Sequence, residues 1–370
     1  MKTSDTHAEG EVDGGRLVVM SSRVRLARNL SGTPFPGWAK KAERQKSLES
    51  IKAVARILPE MNGALVRSMD EFTAIEKQLL VERHLISREH AAKTVGSGVV
   101  ISESEVISLM INEEDHLRMQ ALMPGFCLRE VWQVIDRVDS ELEEQLNYAY
   151  SPKLGYLTAC PTNVGTGMRA SAMLHLPALV LAEQINQIIQ AVNKLGLAVR
   201  GLYGEGTEAS GNLFQVSNQT TLGEREEDLI ERLNKVILQI IEHEKNARLA
   251  LMEKRPQMIY DQIGRAYGVL GNACVQSSKE AMNLLSMLRL GLDLGLIRGL
   301  DCKRIDDMFL LTQPAHLQKH VNQKLTAEQR DMTRASLLRD TLKDVSRPKT
   351  MSFSPPESTE PDHENQPGAA

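Results

Sequence analysis

The chain has 370 residues, 42% of them hydrophobic and 25% charged, and this length predicts two domains with sizeable cores. Its 44 basic and 48 acidic residues give a formal net charge of −4, which excludes the basic surface that general nucleic-acid or anionic-membrane binding needs. No apolar run approaches the ~18 residues of a membrane span. This balance of charges means that any phosphate recognition would have to be local. Four cysteines without CxxC spacing indicate a reducing cytoplasm.

The hydrophobic pattern divides the chain into regions. Residues 1–15 and the proline-rich residues 346–370 are typical of a disordered lead and a disordered tail. Short β-prone runs at 17–20 and 106–111 and helical spacing at 176–195 and 229–241 predict an α/β (α+β) domain over residues 16–253. From 254 to 345 the pattern is helical throughout, which predicts a second, all-helical domain.

Two clusters of charge follow the β-prone runs. In Ser21-Ser22-Arg23-Val24-Arg25, strand alternation would place both arginines on one face, where they could grip phosphate oxygens; alone, a solvated basic edge strand is the favoured interpretation. The segment 112–118, Asn-Glu-Glu-Asp-His-Leu-Arg, could supply a catalytic base and a phosphate clamp, although an ordinary acidic turn is the commoner meaning of such a run.

Two glycine-bearing loops complete the set. Residues 160–169, Cys-Pro-Thr-Asn-Val-Gly-Thr-Gly-Met-Arg, offer backbone N–H groups and one arginine to an anion, and Pro177 beyond them suits the first turn of a helix. Residues 200–211 include four glycines and are typical of a loop that closes over a substrate, with Glu205 on it. A flexible surface connection remains open for the second loop. Neither loop contains a Walker A sequence.

Together, the four segments resemble the ATP:guanidino phosphotransferase family, which includes arginine kinase, creatine kinase and bacterial protein-arginine kinases. They occur in the family's order, and the resemblance spans about residues 18–340 and points to the protein-arginine kinase branch. It implies a phosphagen-kinase-like catalytic domain with a mainly antiparallel sheet flanked by helices, followed by a helical domain. It also implies ATP as phosphoryl donor, with Mg²⁺ bound through the nucleotide and no protein metal site.

Site residues carry over position by position. The resemblance implies the catalytic residues Glu114, Glu205, Arg118, Arg169, Arg200 and Cys160. It implies ATP contacts from Ser21, Ser22, Arg23, Val24, Arg25, His84, Arg118, Arg169, Ala170, Ser171, Ala172, Met173, Arg200, Gly201, Leu202, Tyr203, Gly204 and Glu205. Transfer chemistry suits this mixture, because arginines neutralise the phosphate chain while two carboxylates orient a guanidinium and remove its proton. We expect Glu114 to be the base, Glu205 its partner, and Cys160 a supporting residue.

Three observations favour a protein substrate. Only 20 residues precede Ser21, so we expect the small helical front domain of creatine and arginine kinases to be missing and the acceptor site to be open. Ile101 stands where those kinases place a nucleotide-contacting histidine, for which His84 could compensate. The third lies in the helical region, on a helix that is predicted to run through Asp340 because Thr326 and Gln329 form a capping box at its start.

That helix carries Arg330, Asp331, Arg334 and Ala335, which match the protein-arginine kinase pattern Arg-Asp-x-x-Arg-Ala. The resemblance implies that these residues bind phosphoarginine and couple binding to activation; without it, the stretch would be a charged helix face. It further implies a homodimer, an activating partner, a Clp-type unfoldase and a role in stress regulation. Two alternatives stay open: a small-guanidino (free arginine) kinase, and a weakly catalytic phosphoarginine-binding adaptor, for which Thr221 at a position that is arginine in small-molecule kinases leaves room.

Overall fold

A computed structural model of the chain describes residues 18–201 and 209–350. The lead expected at 1–15 and most of the tail expected at 346–370 therefore lie outside the described residues, as does Glu205. Within the described residues, none of the helices is both long and apolar enough to cross a bilayer. No cluster of three or more His, Cys, Asp or Glu in the same ranges could hold a metal ion.

Eight strands of the described residues form an antiparallel sheet at the centre of the first region. They are β1 Val19–Arg28, β2 Leu65–Ser68, β3 Gly98–Ile101, β4 Ile107–Ile111, β5 Leu117–Pro124, β8 Met168–His175, β9 Leu197–Gly201 and β10 Leu213–Asn218. Their order in the sheet is β2-β3-β4-β5-β1-β8-β10-β9. A separate hairpin pairs β6 Tyr150–Ser151 with β7 Gly155–Tyr156. The mainly antiparallel sheet predicted for the first domain is confirmed.

Helices cover the sheet in the same region. They are α1 Lys41–Ala55, α2 Ala74–Glu82, α3 Arg88–Ala91, α4 Leu128–Gln145, α5 Pro177–Leu181, α6 Ile185–Lys194 and α7 Glu226–Lys254. The sides of α4 and α7 that face the sheet bury aliphatic residues at helical spacing, among them Val131, Ile135 and Val138. Polar side chains on the opposite face include Arg23 and Arg25 of β1 and Arg169 of β8.

The helical spacing at 176–195 resolves into two helices rather than one. Pro177 lies in the first turn of α5, as predicted, because its missing N–H would have no intrahelical partner there. Glu183 adopts a left-handed conformation (φ 59°), which ends α5 before α6 begins at Ile185. Apolar periodicity continued across this break, so it could not be seen in the pattern.

Between Lys254 and residue 350, where the description ends, all of the regular elements are helices. They are α8 Pro256–Asn272, α9 Ser278–Asp293, α10 Cys302–Leu311, α11 Pro314–His320 and α12 Ala327–Leu342. Thr326 and Gln329 form the expected capping box at the start of α12. Buried residues of both regions belong to one hydrophobic core, because Ile259, Leu285 and Leu338 share a cluster with the sheet residues.

Candidate active site

The sheet brings the predicted arginines together. Arg118 lies on β5, Arg23 and Arg25 on β1, Arg169 on β8 and Arg200 on β9, strands of the part of the sheet that runs from β5 to the β9 edge. They line a cleft of about 340 Å³ together with Gly201 and Gln215. Four segments far apart in the sequence therefore supply one basic cleft.

Strand alternation explains why β1 contributes two of these arginines. Val24 and Leu26 are buried in the core, whereas Arg23 and Arg25 are only partly buried on the other face. Arg25 lies opposite Arg169 in the β1–β8 pairing, so two guanidiniums come from directly opposed positions. Like charges at such positions repel each other, and this arrangement would destabilise a sheet that bound no anion.

The charges in the cleft are poorly compensated. Burial, together with repulsion from Arg118 and Arg169, lowers the pKa of Arg23 to about 10. Burial and the neighbouring arginines also lower the pKa of Arg25 well below its ordinary value, and burial and Arg200 lower that of Arg169. The Nε atoms of Arg25 and Arg169 are buried and have no hydrogen-bond partner within the described residues. A bound anion would accept hydrogen bonds from these groups and so satisfy them.

Glu113 is the acid that contacts the cluster. Its carboxylate accepts a hydrogen bond from Arg118 Nη1 at 2.6 Å and another from the Ser87 hydroxyl. Burial opposes its charge, but Arg118 and the Ser87 hydroxyl outweigh that effect and lower the pKa of Glu113. Glu113 therefore orients Arg118 and balances only one charge of the cleft.

Glu114 follows on a turn that its neighbours hold in place. Asn112 has a left-handed backbone (φ 58°), and its side chain donates to the carbonyls of Arg44 at 2.8 Å and Gly96 at 2.7 Å. Asp115 accepts from the backbone N–H of Ala159 at 2.6 Å, which ties the turn to the loop before Cys160. The side chain of Glu114 itself stays exposed, close enough to the cleft residue Arg118 for the two charges to interact.

The electrostatics of Glu114 suit proton transfer. Partial burial, and then the charges of Asp115 and Glu113, raise its pKa above the ordinary value for a glutamate. A carboxylate with a raised pKa is a stronger base than an ordinary one. It is therefore chemically able to take a proton from a cation brought to the edge of the cleft.

Cys160 begins the loop that leads to Arg169. Its Sγ lies 3.0 Å from the hydroxyl of Thr162, and its electrostatic interaction with Arg169 opposes the lowering of that arginine's pKa. Thr221 anchors the loop, because its hydroxyl contacts the carbonyls of Thr162 at 2.9 Å and Val164 at 2.8 Å. Where small-molecule kinases would have arginine, this chain thus has a short side chain that packs against the loop.

Gly165 makes that packing possible. A Cβ at Gly165 would stand 2.1 Å from the carbonyl oxygen of Thr221, and its φ of 115° is unfavourable for other residues.

Other predicted nucleotide contacts lie at varying positions. The Ser22 hydroxyl is buried and bonded to Gly125 and Cys127, and Ala170 and Ala172 point into the core on β8. His84 lies close enough to Arg23 that this charge, after burial, helps to lower the histidine pKa to about 4. Leu202, Tyr203, Gly204 and Glu205 lie outside the described residues. The roles expected for all of these residues stay predictions.

The helix α12 presents the second predicted binding motif. Arg334 is 1% exposed, and its guanidinium donates to the carbonyls of Thr312 at 2.8 Å and Gln276 at 2.6 Å and pairs with Asp331. Arg330, one turn earlier, donates to the carbonyl of Leu325 at 3.0 Å. Ala335 is fully buried. In this conformation Arg334 therefore fastens α12 to the segments that precede α9 and α11.

Two residues that contact the cleft arginines were not singled out individually from the sequence. Gln215 accepts a hydrogen bond from Arg23 Nη2 at 2.9 Å, and Glu113 pairs with Arg118. Gln215 alternates with the buried Phe214 and Val216, so strand periodicity could have assigned it to the polar face. Nothing in the sequence alone places that face beside Arg23.

Comparison with known proteins gives consistent results over most of the chain. Residues 49–247 match the family model "ATP:guanido phosphotransferase, C-terminal catalytic domain", and residues 256–352 match "Protein-arginine kinase McsB C-terminal domain". The chain is 50% identical over 332 residues to the protein-arginine kinase of Desulforamulus reducens, covering 89% of this chain and 93% of that protein. It is 48% identical to that of Halalkalibacterium halodurans, covering 88% and 92%.

Solved structures agree in fold. Lombricine kinase superimposes with a TM-score of 0.58 at 24% identity, covering 67% of this chain and 72% of that one. The substrate-free duplicated taurocyamine kinase from Schistosoma mansoni also gives a TM-score of 0.58 at 24% identity, covering 72% of this chain and 39% of that longer one. At this level of identity, the likeness concerns the fold.

Proposed function

Because this chain belongs to the ATP:guanido phosphotransferase family, in its protein-arginine kinase branch, we propose that it transfers the γ-phosphate of ATP to arginine side chains of proteins. The observation that carries the proposal is the cleft in which five arginines meet, one of which, Arg118, interacts electrostatically with the exposed Glu114. Basic and acidic groups in this arrangement fit a phosphate donor and a cationic acceptor.

On the donor side, Arg23, Arg25, Arg118, Arg169 and Arg200 bind and orient the phosphate chain. The Nε–H groups of Arg25 and Arg169, which have no hydrogen-bond partner in the described part of the chain, supply donors that need no prior rearrangement. Mg²⁺ bound through the nucleotide would neutralise part of the remaining charge when present. Phosphoryl transfer depends mainly on such positioning and charge neutralisation, so the cleft provides the larger share of catalysis.

On the acceptor side, a guanidinium must lose a proton before it attacks phosphorus, because its ordinary pKa is above ~12. Glu114 accepts that proton from the attacking nitrogen, and its raised pKa suits the task. Glu205, by the family resemblance, holds the acceptor guanidinium together with Glu114. Cys160, which interacts with Arg169, supports the acceptor without being required for turnover.

The direct test incubates the purified protein with Mg-ATP and an arginine-rich protein and then locates phosphate by mass spectrometry under conditions that preserve the acid-labile N–P bond. Free arginine in a parallel reaction separates the two kinase alternatives. We expect phosphoarginine in the protein and little in the free amino acid. A preference for free arginine would replace this proposal with that of a small-guanidino kinase.

Replacing the proposed base tests the mechanism. Glu114→Gln should lower turnover by roughly 10²–10⁴-fold, because an amide cannot accept the proton. The dissociation constant for ATP should stay nearly unchanged, since the phosphate-binding arginines remain. Glu103→Gln is a control in a β3–β4 turn outside the cleft lining. Full activity of Glu114→Gln would refute the assignment.

We further propose that Arg330, Asp331, Arg334 and Ala335 bind phosphoarginine. Arg330 and Arg334 lie one turn apart on α12, which suits two contacts to one phosphate, and binding would require Arg334 to exchange its internal partners. Calorimetry with phosphoarginine should show weaker binding for Arg330→Ala, while ATP binding is retained. Unchanged phosphoarginine binding would show that these residues do not form the binding site.

The family also suggests partners for this activity. We propose a homodimer in a reducing cytoplasm, an activating protein, and delivery of marked substrates to a Clp-type unfoldase during stress. The four cysteines are free, which fits a reducing compartment. Sedimentation at several concentrations tests the dimer.

A further inference from the structure

A buried glutamate at the end of α2 joins the catalytic region to the helical region. Glu82 is 5% exposed, and its carboxylate accepts hydrogen bonds from the backbone N–H groups of Ala315 at 2.8 Å and His316 at 3.1 Å. It also lies 2.7 Å from Nδ1 of His316, and because an ionised carboxylate can only accept, this nitrogen is the donor. Backbone N–H groups in the first turn of a helix have no intrahelical partner, so Glu82 caps α11 from a distant part of the chain.

The turn that follows Glu82 has an uncommon residue at its centre. The backbone N–H of Leu85 donates to the carbonyl of Leu80 at 2.9 Å, and that of His84 donates to the carbonyl of Val81 at 3.0 Å. This pattern closes a helix around a left-handed residue, which is usually glycine. Here the residue is His84, with φ of 59°, and a residue with a side chain keeps this conformation where its surroundings hold it. The turn therefore needs support from outside α2.

That support comes from the cleft face of the sheet and from α11. Nε2 of the buried Gln120 donates to the carbonyl of His84 at 2.5 Å. Gln120 lies opposite Arg25 in the β1–β5 pairing and two residues after Arg118, so all three side chains belong to the cleft face. Glu82, two residues before His84, is bonded to α11. The helical region and the arginine cleft thus hold the same short turn.

We propose that Glu82 is a positioning residue for ATP binding: by holding α11 against the end of α2, it fixes the turn at residues 83–85 on the cleft face of the sheet. The proposal rests on the function proposed above, in which the five cleft arginines bind the phosphate chain. Arg23 is the cleft arginine whose charge reaches His84, so a displaced turn changes the surroundings of that arginine. The seating of the helical region on α2 is then a condition for full affinity of the cleft.

Glu82→Gln tests the proposal with little change in side-chain size. The amide keeps one oxygen, but its NH2 group faces a donor and cannot accept, so the cap of α11 is weakened. ATP binding by calorimetry, steady-state kinetics with an arginine-rich protein, thermal unfolding and amide hydrogen exchange at Leu85 are measured. Exchange of the β1 amides serves as the reference for global unfolding.

Glu244→Gln is the matched control. Glu244 is also fully buried, and its carboxylate accepts from the backbone N–H groups of Ala178 at 3.1 Å and Leu179 at 3.0 Å, in the first turn of α5. It pairs in addition with Arg248, so its replacement should cost at least as much stability. Both partners of this cap belong to the catalytic region. The control therefore removes the same kind of bond without loosening the contact of α11 with α2.

We expect Glu82→Gln to raise the dissociation constant and the KM for ATP by about five- to tenfold, the scale of one lost hydrogen bond. The KM for the protein acceptor should stay unchanged, and exchange at Leu85 should quicken more than exchange in β1. Glu244→Gln should lower the unfolding temperature but leave ATP affinity and the relative exchange at Leu85 as in the wild type. Wild-type ATP affinity or unchanged relative exchange in Glu82→Gln would overturn the proposal, as would an equal loss of ATP affinity in Glu244→Gln.

A gentler variant covers the case in which Glu82→Gln does not fold. His316→Phe keeps both backbone bonds to Glu82 and a ring at this position, but it removes the Nδ1 donor. It should raise the dissociation constant for ATP by a smaller factor and quicken exchange at Leu85. Wild-type values of both quantities would refute the proposal.

The two proposals can fail separately. If the wild-type protein phosphorylates no arginine under any condition, the function proposed above fails. ATP affinity and exchange at Leu85 still decide the role of Glu82, because neither measurement needs an acceptor or turnover.

Discussion

Strand β1 carries arginines with opposite surroundings three residues apart. Arg28 is 1% exposed, and its Nε donates to Asp139 at 2.9 Å, while the ring of Tyr156 lies 3.6 Å from the guanidinium carbon. Burial opposes its charge, but Asp139, Tyr156 and Glu226 outweigh that effect and raise the pKa of Arg28. Arg25 is surrounded instead by other arginines, and its pKa is lowered.

The difference teaches how to separate structural from functional arginines in one sheet. An arginine whose donors are met by acids and carbonyls holds elements together, and it has no capacity left for a ligand. An arginine that is buried among like charges destabilises the empty protein and gains its partners only from an anion. The same substitution at the two positions should therefore have opposite consequences.

The largest effect is expected at Arg28. Arg28→Met would leave Asp139 buried without its charged partner, which should lower the free energy of unfolding by about 3–5 kcal/mol. Urea denaturation measures this change. A loss below about 1 kcal/mol would mean that the Arg28–Asp139 pair is not a structural tie, and the comparison with Arg25 would break down.

Arg25→Met should give the reverse result. Loss of one phosphate-binding donor should lower kcat/KM by roughly 10²–10³-fold, the scale for removal of a preorganised donor. The free energy of unfolding should stay the same or rise, because a buried charge and its repulsion from Arg23 and Arg169 are removed. A strongly destabilised variant would show that Arg25 has a structural role as well.

A smaller effect is expected on the pKa of His84, which burial and the cleft residue Arg23 lower. Its folded pKa of about 4 lies below the ordinary 6.5, so the unfolded chain binds the proton first as pH falls, and stability declines from about pH 6.5 towards 4. Arg23→Met should raise the pKa of His84, because a nearby positive charge is removed. Titration by NMR checks this shift, with the exposed Arg129→Met as control. An unmoved pKa would mean that burial alone sets it.

Much of the cleft followed from local pattern. Alternation after a β-prone run assigned Arg23 and Arg25 to one face, and the acidic turn at 112–118 was expected at the end of a strand. The capping box of Thr326 and Gln329 fixed the start of α12 correctly. These features depend on neighbours within a few residues, so a single sequence carries them.

Features that depend on distant neighbours could not be predicted. The left-handed Glu183 separates two helices although the apolar pattern continues past it. The buried position of Arg334 depends on the backbone carbonyls of Thr312 and Gln276. The contact of Asn283 with Gly211 joins residues 72 positions apart. Such pairings follow from the packing of whole elements, which no short motif encodes.

The opposed positions of Arg25 and Arg169 also bear on how the protein could fail. Sliding β1 by a single residue against β8 would turn Arg23 and Arg25 into the core and expose Val24 to water. Since one slip removes two phosphate-binding groups at once, a misaligned chain would have almost no residual activity. The turnover measured for a preparation therefore reports the fraction of correctly aligned molecules. Molecules with a partly active cleft should be rare.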